Sequence, residues 1–229
     1  MIGRLLLLMA AGSAAWSATV SGQVELTVSN SGTDQKKDNS GTVVWLEPVA
    51  GTAPETPAVT VSMAHHNKTF VPHVVAVRTG SKVRFPNLDP FFHNAFSNYD
   101  GQIVDIGLHA PKSYREVTFR RPGVVHLFCN IHPTMSAVIM VLNTPWFAVS
   151  DKSGSFRIAA VPPGEYQLKV FHERALPDVL AQLEHRLTVQ PDDLALAPMV
   201  ISEAGYVAPP HKNKYGKDYP PGSYPGPKP

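Results

Sequence analysis

The run Cys129-Asn130-Ile131-His132-Pro133-Thr134-Met135 contains the only cysteine of the chain. A thiolate, an imidazole and a thioether at C-x2-H-x2-M spacing are three of four ligands for one kind of mononuclear copper site. That site takes two His and one Cys in a plane, with a weak, long axial Met. The second imidazole must come from an earlier strand end, and Phe91-Phe92-His93-Asn94 offers one. A thiolate and two imidazoles suit copper in both oxidation states, and the thioether is a soft ligand suited to Cu(I). Cys129 must ionise to bind, which the cation itself drives. Three ligands on one tight loop and one on a distant strand end lock the geometry, so little rearranges when the charge changes. Pro133 fixes its own φ and removes a donor beside His132, which stiffens the loop.

Zinc fits this donor set less well. Structural zinc sites prefer several cysteines or a Cys2His2 set, and Met is a poor zinc ligand. No Ser-His-Asp or Cys-His nucleophile arrangement stands out either. The chain of 229 residues is long enough for one or two domains. Its net charge of +2 leaves no dense basic stripe for nucleic acid.

Met1-Ile2-Gly3-Arg4, an apolar stretch from Leu5 to Trp16 and the small residues that follow read as a secretory signal peptide, residues 1–17. Cleavage after Ala15 or after Ser17 is acceptable. The stretch is short for a bilayer span, and no cysteine follows it to carry a lipid. The expected location is the periplasm. Oxidising compartments favour paired cysteines, so a single exported cysteine suggests intermolecular pairing or a thiol with a task, and metal ligation is such a task.

Short apolar runs separated by Gly and Pro argue an all-β sandwich or barrel. Thr42–Leu46, Val74–Val77, Lys82–Phe85, Glu116–Phe119, Val124–Cys129 and Ser136–Leu142 are the clearest strands. Asp178–Leu187 reads equally as a helix or as an alternating strand. From Tyr206 the chain is rich in Pro, Gly, Tyr and Lys without an apolar run, so residues 204–229 are expected to form an extended, largely disordered tail.

Phe70-Val71-Pro72, Gly80-Ser81-Lys82-Val83-Arg84-Phe85, Asn87-Leu88-Asp89 and His93-Asn94, together with the ligand loop, resemble cupredoxins, the family of plastocyanin, pseudoazurin and amicyanin. The resemblance covers residues 63–144. It implies a Greek-key β-sandwich holding one copper ion through His93, Cys129, His132 and Met135, and one-electron transfer. It also implies that the Asn94 amide ties the two ligand segments together, with Asn130 and Pro133 supporting the loop behind the ligands. The exposed edge of His132, ringed by Pro90, Phe91, Phe92 and Pro133, is the expected electron port and docking patch. A periplasmic redox protein, such as a c-type cytochrome or a quinoprotein dehydrogenase, would be the partner. Copper nitrite reductases need two cupredoxin domains with a further centre between them; one such domain is found here, so no enzyme is expected. A copper-binding or delivery module without a redox circuit is the alternative.

Asp151-Lys152-Ser153-Gly154-Ser155-Phe156 and Pro162-Pro163-Gly164-Glu165-Tyr166-Gln167-Leu168 resemble the second half of carboxypeptidase regulatory-like domains, small transthyretin-type sandwiches. Ser21-Gly22-Gln23-Val24 and Val43-Val44-Trp45-Leu46 resemble the first half. This implies a discontinuous sandwich, 18–62 plus 145–203, with the copper domain inserted into it or adjoining it. The combination resembles secreted proteins often labelled methylamine utilisation protein, although no residue identifies methylamine. Of the other histidines, His65-His66 suggest a weak second metal site. Alternation turns His126 to the face opposite Cys129, and His172-Glu173 reads as structural.

Overall fold

The computed structural model describes residues 17–27, 38–98, 102–208 and 210–220. All but one residue of the expected signal peptide lies outside them. The described chain is almost all β. It starts with β1 (Ala18–Thr27) and β2 (Val43–Pro48). Ten short strands follow: β3 (Thr60–Ser62), β4 (Ala64–His66), β5 (Thr69–Val71), β6 (Val74–Arg78), β7 (Lys82–Pro86), β8 (Phe96–Ser97), β9 (Val104–Asp105), β10 (Tyr114–Thr118), β11 (Gly123–Phe128) and β12 (Ser136–Leu142). The last strands are β13 (Phe147–Val149), β14 (Ser155–Val161), β15 (Gly164–Phe171), β16 (His185–Val189), β17 (Leu194–Ala195) and β18 (Met199–Ser202).

Strand pairing crosses the middle of the chain. β1 pairs with β14, β17 and β18, whereas β2 lies between β13 and β15 with β16 at the edge. Val20, Val24, Val44 and Leu46 therefore share one core with Phe156, Ile158, Tyr166 and Leu168. Between these two halves of sequence, β6-β12-β11-β8-β9 and β10-β7-β3 enclose a second core. That core contains Phe85, Phe119, Leu127 and Ile139, and also Cys129 and Met135.

β12 explains how the two cores meet. Every residue from Ala137 to Leu142 is buried, the pattern of a strand covered on both faces rather than one. Ala137, Ile139 and Val141 enter the core that holds Cys129 and Met135. Val138, Met140 and Leu142 face the other way and join Val74 with Val43 and Trp45 of β2. The same split along β2 sends Val44 and Leu46 inward to its own sandwich. The two sandwiches thus share a continuous apolar seam.

The ambiguous segment 178–187 divides. Pro177–Ala181 is one helical turn with Pro at its start and Asp178 in its first turn, both favourable at an N-terminus. His185–Val189 then pairs with β15 as an edge strand. Both periodicities were present in sequence because both elements are.

Gly154 sits at φ +90°, and its carbonyl accepts a hydrogen bond from Val24 at 2.9 Å. A Cβ there would lie 2.0 Å from the Val24 carbonyl oxygen, which belongs to the backbone and has little room to yield. Gly154→Ala combines a left-handed backbone with that clash, so a loss of about 2 kcal/mol or more is expected. Urea unfolding of the variant against the parent measures it.

The tail differs from the sequence expectation. Residues 204–208 and 210–220 carry no strand or helix, but the segment from His211 to Tyr219 is hydrogen-bonded to the ligand loop. Its composition cannot build a core of its own; its aromatic rings and backbone groups instead use a surface already built by β8 and β11.

Candidate metal centre

Alternation along β11 buries Val125, Leu127 and Cys129 and leaves Val124, His126 and Phe128 partly accessible on the other face. Cys129, fully buried, is the first residue past the strand. The chain then turns back on itself. The Met135 amide donates to the His132 carbonyl at 2.9 Å, and the Cys129 amide donates to the Met135 carbonyl at 3.3 Å. This closes the loop before β12 begins and returns Met135, 1 % exposed, to the same core as Cys129.

His93 comes from a different part of the sandwich. Its backbone exchanges hydrogen bonds with His109 at 3.3 and 2.9 Å, which fixes the segment just before β8. The His93 Nδ1 atom lies 3.8 Å from Cys129 Sγ, and His132 Nδ1 lies 3.8 Å from the same sulfur. All three ligand atoms fall within 4.8 Å of one another. This is the only such cluster among the described residues. One soft sulfur, which a bound cation would ionise, and two imidazole nitrogens converging in a closed pocket suit copper.

The ligands are held from behind. Asn94, expected to join the two ligand segments, accepts a hydrogen bond from the Asn130 amide at 2.6 Å through its side-chain oxygen. Asp89, four residues before His93, accepts from His93 Nε2 at 2.8 Å while 5 % exposed. Placing the imidazole proton on Nε2 leaves the Nδ1 lone pair for the metal. The same carboxylate accepts from the amides of Asn67 at 2.7 Å and Lys68 at 2.9 Å. Burial alone would raise its pKa, but these amides and His93 together hold it below the ordinary carboxylate value.

His132 is half-buried and closes the accessible side, with its ring 5.6 Å from that of Phe91. Burial first, then the neighbouring His93 and Lys68, lowers its pKa. The neutral imidazole is the form that binds metal. Of the expected docking patch, Pro90 is exposed, Phe91 partly so and Phe92 55 % exposed. Pro133 is a correction: it is buried, and its carbonyl accepts from His211 of the tail.

The pair His65-His66 is separated by the pleat of β4. His66 faces outward beside Asn67, while His65 is fully buried, its ring stacked on His93 at 4.9 Å and 10°. They therefore do not form a joint site. Burial, then His109 and His93, lowers the His65 pKa to about 3, so this ring stays neutral behind the ligand. His126 lies on the face opposite Cys129 and, with Glu173, lines a cleft between the sandwiches. His172 is buried, donates from Nε2 to the Glu203 carboxylate and meets the Thr42 hydroxyl at Nδ1, in keeping with a structural part. No sequence pattern assigns a role to Asp89, His211, Lys214 or Tyr219, and His65 was expected only as half of a weak second metal site.

No helix among the described residues is long and apolar enough to cross a membrane. No family model matches the chain, and no curated protein matches its sequence. Among solved structures it is similar to amicyanin from Paracoccus versutus, with 18% identity over 43% of this chain and 97% of that one, at a TM-score of 0.35. It is also similar to a purple cupredoxin from Nitrosopumilus maritimus, at 19% identity over 38% of this chain and 100% of that one, TM-score 0.31. A copper-containing nitrite reductase from Thermus scotoductus SA-01 is similar at 26% identity, TM-score 0.36; 42% of this chain is covered and only 25% of the reductase.

Proposed function

We propose that this chain is an exported type 1 copper protein that carries single electrons between periplasmic redox partners and is not an enzyme. The observation that carries the proposal is the convergence of His93 Nδ1, Cys129 Sγ and His132 Nδ1 in one buried cluster, with Met135 returned to the same core. Copper bound there would supply a one-electron couple. The chain's own residues hold the ligands in place. Asn94 ties the loop to the His93 segment, Asp89 orients His93, and His65 packs against its ring. A frame fixed in advance favours a carrier, which keeps its metal through each cycle, over a delivery module, which must release it.

A c-type cytochrome or quinoprotein dehydrogenase is the proposed partner class, meeting the protein where Pro90, Phe91 and Phe92 border His132. Brief redox encounters sit at the small end of interface areas. The sandwich built by β1, β2 and β13–β18 is proposed to be of the carboxypeptidase regulatory-like kind.

Titrating cupric ion into the purified mature protein under a visible spectrometer tests the proposal. One equivalent should develop an intense thiolate-to-copper band, and that band should bleach on one-electron reduction and return on reoxidation. A colourless, weakly bound cupric complex would overturn the assignment.

A further inference from the structure

Resting on the copper reading, we propose that the C-terminal segment from His211 to Tyr219 is a working part of the metal centre, positioning the ligand loop together with Asn94. Three hydrogen bonds from this segment land on the seven-residue loop. His211 Nε2 donates to the Pro133 carbonyl at 2.8 Å, and the Lys214 amide donates to Asn130 Oδ1 at 3.0 Å. The Tyr219 hydroxyl donates to the carbonyl of Cys129 itself at 3.3 Å. Asn130 is therefore gripped at both ends, by Asn94 through its amide and by the tail through its side chain.

The segment is anchored independently of those bonds. The His211 ring stacks on Phe128 at 3.9 Å and 21°, and Phe128 packs on Phe96 at 6.0 Å. Tyr219 meets the other edge of His211 at 5.3 Å and 82°. Lys214 Nζ forms an ion pair with Asp105 at 2.9 Å. These contacts join β11 and β9 to residues as many as 109 positions away in sequence. A solvated terminus has no reason to place donors on three carbonyl or amide oxygens around a ligating cysteine.

Two consequences separate positioning from simple packing. A tethered loop keeps its ligands close when the metal leaves, so copper escapes more slowly. A donor on the Cys129 carbonyl draws electron density away from the centre, which favours Cu(I) and raises the reduction potential.

The test compares the full chain with a chain ending at Ala208 and with Tyr219→Phe, which deletes one hydroxyl. In the shortened chain, copper loss to a competing chelator should be faster by about 10-fold, in the range found when groups behind metal ligands are removed. The reduction potential should fall, and amide protons of residues 130–135 should lose exchange protection even without metal. Tyr219→Phe should lower the potential by a smaller step without changing thermal stability. If the full chain takes up copper with its thiolate band while both variants match it in chelator kinetics, potential and exchange, this inference is overturned and the copper reading stands. A full chain that never takes up copper overturns both.

Discussion

Replacing Cys129 by serine should abolish the intense visible band outright and leave cupric ion bound, if at all, only through nitrogen. The band arises from charge transfer between a thiolate and copper, and Cys129 supplies the only sulfur of the chain able to ionise. The two remaining imidazoles hold the metal without an anionic ligand. The loss of affinity should therefore exceed the roughly 10–100-fold that follows removal of a group behind a ligand. Serine also places a hydroxyl where the thiol is fully buried, with the Nδ1 atoms of His93 and His132, each 3.8 Å from the sulfur, as its polar neighbours. A buried hydroxyl without a partner costs about 1–3 kcal/mol; these imidazoles offset part of that, so the metal-free variant should melt only slightly earlier. Optical titration, paramagnetic resonance and calorimetry of both metal-free proteins read these effects separately. A variant that keeps the band would overturn the assignment of Cys129 as the copper ligand.

Asp89→Ala should damage fold and site together. The carboxylate holds His93 Nε2 and caps two consecutive amides, those of Asn67 and Lys68. Both of these residues adopt positive φ, 53° and 56°, a conformation that costs side-chain-bearing residues about 1–2 kcal/mol each. The β4–β5 turn thus depends on an acceptor that reaches it from another segment. Removing a buried charged partner typically costs about 3 kcal/mol or more, and copper affinity should fall with the loss of the His93 tether. The pH dependence supplies a second signature. The Asp89 pKa is depressed in the folded protein relative to its usual 3.8. Its contribution is therefore complete above that value and fades as pH drops through the folded pKa. The variant should lack this acid-limb loss. His65 acts in a higher window. Its folded pKa of about 3 against 6.5 means stability declines as pH falls below 6.5, in parent and variant alike. Unfolding free energies from pH 7 to 2.5 would show the two limbs.

The ligand loop was legible because three ligands fall within seven consecutive residues, where spacing alone expresses the chemistry. His93 was legible through its local pattern, and Asn94 through resemblance. Asp89 stood four residues before His93 in plain view. Its role depends on the β4–β5 turn approaching it, which no local pattern states. His65 and His66 illustrate the same limit: adjacent in sequence, they are sent to opposite faces by one pleat. The tail was least legible. Pro-, Gly- and Lys-rich composition reports correctly that a segment has no core of its own, but says nothing of whether another part of the molecule offers it a surface. Pro133 was assigned to an open patch for that reason.

The doubly covered strand β12 decides how the molecule can be taken apart. Cutting out residues 63–144 would leave Val74, Val138, Met140 and Leu142 as a bare greasy flank on the excised piece. The remaining sandwich would expose Val43 and Trp45 in the same way. Neither fragment is built to survive alone, so heat should melt the whole as one cooperative block. Genetic exchange of residues 63–144 between proteins would have to bring the matching flank along.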